Sequence, residues 1–157
     1  MRTPASIARH PIHPMLVPIP IGLWLFSFVC DLAFVLGSGA SHWFTLSFYT
    51  MIAGLLGALL AAIPGTIDML SLTGAPKKLA LTHGALNLTV VVLFAVNIAM
   101  RISDAEVAGL PLALTVIAIT LLGASGWLGG HMVYVHAVGV DVNHAVNAKE
   151  GNQGFPP

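Results

Sequence analysis

The stretch Leu79–Met100 reads LALTHGALNLTVVVLFAVNIAM. It is long enough to cross the hydrocarbon of a bilayer as a helix, which takes about 20 residues. Taken in steps of four and three, His83, Asn87, Val90, Phe94, Asn97 and Arg101 share one helical face. That face carries every strongly polar side chain of the segment. Lipid cannot satisfy an amide or a guanidinium, so the stripe predicts a helix that turns this face toward partner helices.

The remainder of the chain supplies those partners. Of 157 residues, 57% are hydrophobic and 8% charged, and the mean hydropathy is +0.90. A soluble domain carries about 25% charged residues, so the composition points to an integral membrane protein. Three more apolar stretches stand out, Met15–Leu36, Phe44–Ile67 and Leu110–Gly130. Open strands would leave backbone groups unpaired in lipid, and the short connections make sequential helices antiparallel neighbours. The expected fold is all-α, four transmembrane helices in an up-down-up-down bundle. The membrane domain is expected to span 1–144, followed by a polar, flexible tail, 145–157.

Charge sets an orientation. Arg2, Arg9, Lys77, Lys78 and Lys149 fall on one side of the spans and Arg101 on the other. The positive-inside rule then places both termini in the cytoplasm. Six basic residues balance six acidic ones, and no basic run exists to grip phosphate, so nucleic acid is not an expected partner. The single cysteine, Cys30, excludes an internal disulfide, a CxxC pair and a Cys-based zinc site. The run Met15–Leu36 exceeds a signal-peptide core and no small-x-small site closes it, so it is expected to be retained as a span.

On this topology His10, His13, His83, His131, His136 and Asp68 gather at the cytoplasmic end, and His42 lies alone at the other. Ionisable side chains beside hydrocarbon mark a functional site by default. His10-Pro-Ile-His13-Pro is too proline-rich for a regular helix interior and could lie across the bundle mouth as a lid. His131 and His136 would point ~140° apart on a continuous helix, so both serve one site only if Gly129-Gly130 bends or breaks it. The stripe Gly54, Ala58, Ala61, Gly65 and Asp68 permits close helix approach or leaves room for a flat cofactor. Asp31 and Arg101 sit at matching depth at the far end, where pairing would relieve the cost of burying either. Asn87 and Asn97 either glue helices together or belong to a functional site.

Three site chemistries fit these residues. The first is a b-type haem held by imidazoles from different helices. The second is a zinc, iron or copper ion held by His and Asp. The third is a cofactor-free proton relay or an interaction protein. A c-type haem, a serine hydrolase, a zincin, a P-loop and a dinucleotide fold all lack their motifs here.

The segments HPIHPMLVPIPIG (His10–Gly22), THGALN (Thr82–Asn87) and GGHMVYVHAVGV (Gly129–Val140) together resemble the DUF2231 family of bacterial membrane proteins. The resemblance runs from about Arg9 to Asp141. It implies a multi-pass protein of the bacterial inner membrane that keeps the company of Rieske-type and cytochrome c modules. The positions carried over are His10, His13, His83, Asn87, His131, Tyr134 and His136. That company tilts the expectation to haem b and electron transfer, with His83 as one axial ligand and His131 or His136 as the other. His13 and His10 would be reserves, or would position a propionate or a quinone headgroup. Asp68, Asn87 and Tyr134 would orient the imidazoles. Expected partners are the lipid bilayer, a quinone, a redox protein and a second copy of the chain in a homodimer.

Overall fold

A computed structural model describes residues 3–8, 10–37, 39–103 and 106–140; the expected flexible tail, 145–157, lies outside them. The chain opens with a two-stranded antiparallel hairpin, β1 (Ser6–Ile7) and β2 (His10–Pro11), and a short helix α1 (Ile12–Leu16). Helices α2 (Pro18–Leu36), α3 (Ser41–Ser71), α4 (Gly74–Ile102) and α5 (Leu110–Tyr134) follow. With α1 and α2 taken as one span, Ile12–Leu36, these give four helices long and apolar enough to cross a membrane. The helices extend beyond the apolar stretches. The expected loop Asp68–Lys78 shrinks to Leu72 and Thr73, because Gly74 at φ +62° turns the chain directly into α4.

Around the bundle α2 neighbours α3, α3 neighbours α4, α4 neighbours α5, and α5 closes on α2. The outward faces are apolar, with Leu36, Leu60, Leu88 and Val92 all exposed, as a surface meant for lipid requires. The centre is filled by Trp24, Met51, Val90, Phe94, Ile98, Ala118 and Leu122. Trp24 and Phe94 stack across the middle at 4.4 Å between centroids and 11° between planes. The indole fits because Gly54 faces it: a Cβ there would lie 2.6 Å from the ring. The indole N–H is not stranded in hydrocarbon either, since it donates to Met51 O at 3.2 Å.

One end of the core is polar. Arg101 and Asp31 form a buried two-point ion pair, Nη1 to Oδ1 at 2.8 Å and Nη2 to Oδ2 at 2.6 Å. Ser47 Oγ donates to Asp31 Oδ1 at 2.6 Å and contacts Ser27 Oγ at 3.0 Å. Arg101 Nε donates to Asn97 Oδ1 at 2.8 Å, and Asn97 Nδ2 donates to Pro111 O and to Thr115 Oγ1. One hydrogen-bonded network therefore joins all four spans. The pairing expected for Asp31 and Arg101 is present, and of the two roles open to Asn97 the structure shows the helix–helix one, its amide joining α4 to α5.

The bundle is also an internal repeat of two helical hairpins. His13 faces His83, Trp24 faces Phe94, and Asp31 faces Arg101, and in each pair the second residue lies 70 positions after the first. The buried positions Pro20, Trp24, Ser27 and Asp31 of α2 recur at that spacing as Val90, Phe94, Asn97 and Arg101 of α4. At a spacing of 64, buried Ser47, Met51, Gly54, Ala61 and Asp68 of α3 recur as Pro111, Thr115, Ala118, Ser125 and Met132 of α5. The two hairpins are thus related by a quasi-two-fold axis along the bundle, a parallel repeat of the kind known in membrane folds. Residues on that axis meet their own counterparts.

Candidate functional site

The polar core at one end has a histidine pair as its counterpart at the other. The rings of His13 and His83 lie 6.2 Å apart between centroids with planes at 88°. His13 sits in α1, where Pro14 falls in the first turn and its missing N–H breaks no helical bond. The HPIHP segment is therefore a hairpin edge followed by one helical turn, which carries His13 against α3.

Each ring is held by the same device. His13 Nδ1 donates to Ala61 O at 2.8 Å, and four residues on, Gly65 leaves the room: a Cβ there would be 2.7 Å from that nitrogen. His83 Nδ1 lies 2.9 Å from Ser125 O, and four residues on, a Cβ at Gly129 would be 3.4 Å from His83 Cε1. Pro64 lies inside α3 beside the first of these contacts. Its ring removes the helical hydrogen bond to Leu60 O, the carbonyl next to the one that receives His13.

A carbonyl can only accept, so these bonds place the proton of each neutral imidazole on Nδ1 and leave the lone pair on Nε2. The halves differ from there on. Asn87 Nδ2 approaches His83 Nε2 at 3.0 Å and also donates to His83 O at 3.0 Å, and Ser125 Oγ lies 2.9 Å from His83 Nδ1. The counterparts of Asn87 and Ser125 in the first half are Val17 and Ala61, which offer no side-chain hydrogen bond. The His13 Nε2 makes none with any described residue.

The other candidates lie apart from this pair. Asp68 is buried, but it accepts the backbone N–H of Ala5 at 2.8 Å and so clasps the N-terminal hairpin onto α3. His10 is exposed and bonds Ala8 O at 2.8 Å. Tyr134 is 89% exposed. His131 and His136 come within 5.4 Å of each other; Gly129 and Gly130 stay helical, and the helix ends only at Tyr134. Among the described residues no three His, Cys, Asp or Glu side chains converge as a metal-binding group. The six residues expected in one cluster thus resolve into two histidine pairs, a clasp and an exposed ring. Ser125 is the partner that sequence reasoning missed, whereas Ala61 and Gly65, read as a small-residue stripe, and Gly129, read as a bend, seat the rings instead. Their signal was the small residue at i+4, legible only once each ring's neighbour is known.

A metal held between two opposed imidazoles, with metal–nitrogen bonds of about 2.0 Å, separates the ring centres by ~6 Å. The spacing of His13 and His83 meets that value, and both have Nδ1 tied to protein, as metal-bound histidines usually do. Against this, Asn87 occupies the His83 lone pair, and any ligation there must displace its amide.

Fold and composition define a multi-pass helical membrane protein with a paired-imidazole site at one end of the bundle. The chain belongs to the DUF2231 family, described as predicted membrane proteins, whose model matches residues 9–142. No curated protein and no solved structure matches it.

Proposed function

We propose that the protein is a b-type haem protein of the bacterial inner membrane and that His13 and His83 are its two axial ligands. One observation carries this reading: two imidazoles from separate spans, 6.2 Å apart between ring centroids with planes at 88°, each with Nδ1 committed to a backbone carbonyl. A bound haem would supply a one-electron couple. The protein's own part is to fix both tautomers, to give each ring a glycine-backed seat, and to keep the site in the low-dielectric bundle. Electrons would be exchanged with a quinone or a redox partner at the end carrying Lys77 and Lys78, the cytoplasmic face by charge bias. This choice replaces His131 or His136 by His13 as the partner of His83.

The test is an absorption spectrum of the detergent-purified protein. A Soret band that sharpens on dithionite reduction, and is lost in both His13→Ala and His83→Ala, is the expected result. A colourless, iron-free protein from cells supplied with haem precursor overturns the reading.

A second reading follows from Asn87. Its hydrogen bond to His83 Nε2 suits a cofactor-free pair in which Ser125 and Asn87 hold a neutral His83 ring in place between helices. Asn87→Leu separates the two. It frees the lone pair and raises haem occupancy under the first reading; under the second it removes a hydrogen bond that seats the ring, lowering stability with no haem gained.

A further inference from the structure

We propose a second site, at His131 and His136: a two-imidazole chelate for a divalent transition-metal ion, Cu2+ or Zn2+. It is independent of the haem reading and uses none of the same side chains.

The site is built by the end of α5. Val135 N–H donates to His131 O at 3.0 Å and closes the last helical turn. The chain then reverses, with Ala137 at φ 51° and Gly139 at φ 79°, and Val138 N–H returns to Met132 O at 3.1 Å. The helix ends at Tyr134, ahead of His136, and the His136 ring lies 5.4 Å from that of His131. The turn is anchored on both sides. Val138 packs on the cluster of Leu72, Ala80 and Met132, and Gly139 lies so close to Pro11 that a Cβ there would meet its ring at 3.3 Å. The two imidazoles are therefore presented by a frame whose backbone is already set.

Among the described residues their ring nitrogens are also uncommitted. His10, His13 and His83 each have a ring nitrogen bound to a carbonyl. The ring nitrogens of His131 and His136 make no hydrogen bond with any described residue, and the two rings lie 5.4 Å apart between centroids with planes at 73°. With metal–nitrogen bonds of about 2.0 Å, a bent, near-tetrahedral pair of imidazoles separates ring centres by ~5 Å, against ~6 Å for a straight one. The measured separation falls in the bent range, unlike that of His13 and His83. Among the described residues no carboxylate or thiol completes the set, so water would fill the other positions and the ion would exchange. Imidazole favours Cu2+ and Zn2+, with Cu2+ the tighter by the general affinity order.

The full-length chain, purified through a tag that contains no histidine and stripped with chelator, is titrated with Cu2+ and followed by electron paramagnetic resonance. The expected result is about one Cu2+ per chain with nitrogen hyperfine structure from two imidazoles. His131→Ala or His136→Ala should weaken binding at least ~10-fold, as loss of even an outer ligand partner does, and the double variant should abolish it. His13→Ala and His83→Ala should leave it unchanged. Undiminished Cu2+ binding by the double variant, or loss of binding in His13→Ala or His83→Ala, overturns the proposal. Zn2+ competing for the bound Cu2+ supports it, and an unchanged elution volume of each variant excludes misfolding as the cause.

Discussion

Asp31 and Arg101 form a two-point ion pair enclosed by four apolar helices at one end of the bundle, with side chains 1% and 0% exposed. They are also each other's counterparts in the internal repeat. The same position of the two hairpins carries a carboxylate in one and a guanidinium in the other, so a symmetric contact that would repel if the residues were identical becomes an attraction. Both charges are hydrogen-bonded beyond the pair, to Ser47 and Asn97, which is what makes burial of charge in low dielectric tolerable.

Breaking that pair from one side leaves an unpaired charge in the core. Arg101→Met and Asp31→Leu should each destabilise the protein by ~3–5 kcal/mol, read as a lowered unfolding midpoint in detergent. The double variant should recover much of the loss. Additive losses would show that the pair contributes no coupling.

Gly54→Ala should disturb the centre of the bundle. The new methyl would lie 2.6 Å from the Trp24 indole, a rigid ring already stacked on Phe94. Overpacking of this kind costs about 1–3 kcal/mol. Trp24 would move, so tryptophan fluorescence should shift along with stability. Gly22→Ala, where a Cβ meets nothing within 4 Å, is the control.

Gly65→Ala tests the seat of His13. The added methyl would come within 2.7 Å of Nδ1, so the ring must leave Ala61 O. If the proposed haem is bound, loss of its Soret band with little loss of stability is expected. Gly129→Ala, at 3.4 Å from His83 Cε1, should be the milder change. Equal effects, or a stronger effect at Gly129, would show that the glycine contacts do not seat the rings.

Asp68→Leu removes the acceptor for Ala5 N–H, and an unsatisfied buried donor costs about 1–3 kcal/mol. The hairpin should detach from α3, seen as faster proteolysis ahead of Ile12. Asp68→Asn keeps an acceptor oxygen and should cleave slowly. Matching rates for the two variants would remove the clasp from the account.

Particular residues show what could be read in advance. The stripe from His83 to Arg101 gave the buried face of α4, and the matching depths of Asp31 and Arg101 gave their pairing. Both depend on helical periodicity and on the cost of charge in lipid, which act along one segment. Asp68 was placed with the histidines by depth alone, yet its carboxylate takes Ala5 N–H, a partner 63 positions away that no spacing rule reveals. His131 and His136 were separated by helical geometry, and they meet because the helix stops at Tyr134.

By itself, then, the sequence determined that this chain spans a membrane four times, which faces of its helices are buried, and that its ionisable residues crowd the helix ends. Those outcomes follow from hydropathy and period, properties of each segment alone. The tertiary structure decided which residues meet. The two-fold relation of the hairpins is carried by where burial falls rather than by residue identity, since Trp24 answers Phe94 and Asp31 answers Arg101. Only packing of the two hairpins against each other sets His13 opposite His83 and makes a site of two distant imidazoles.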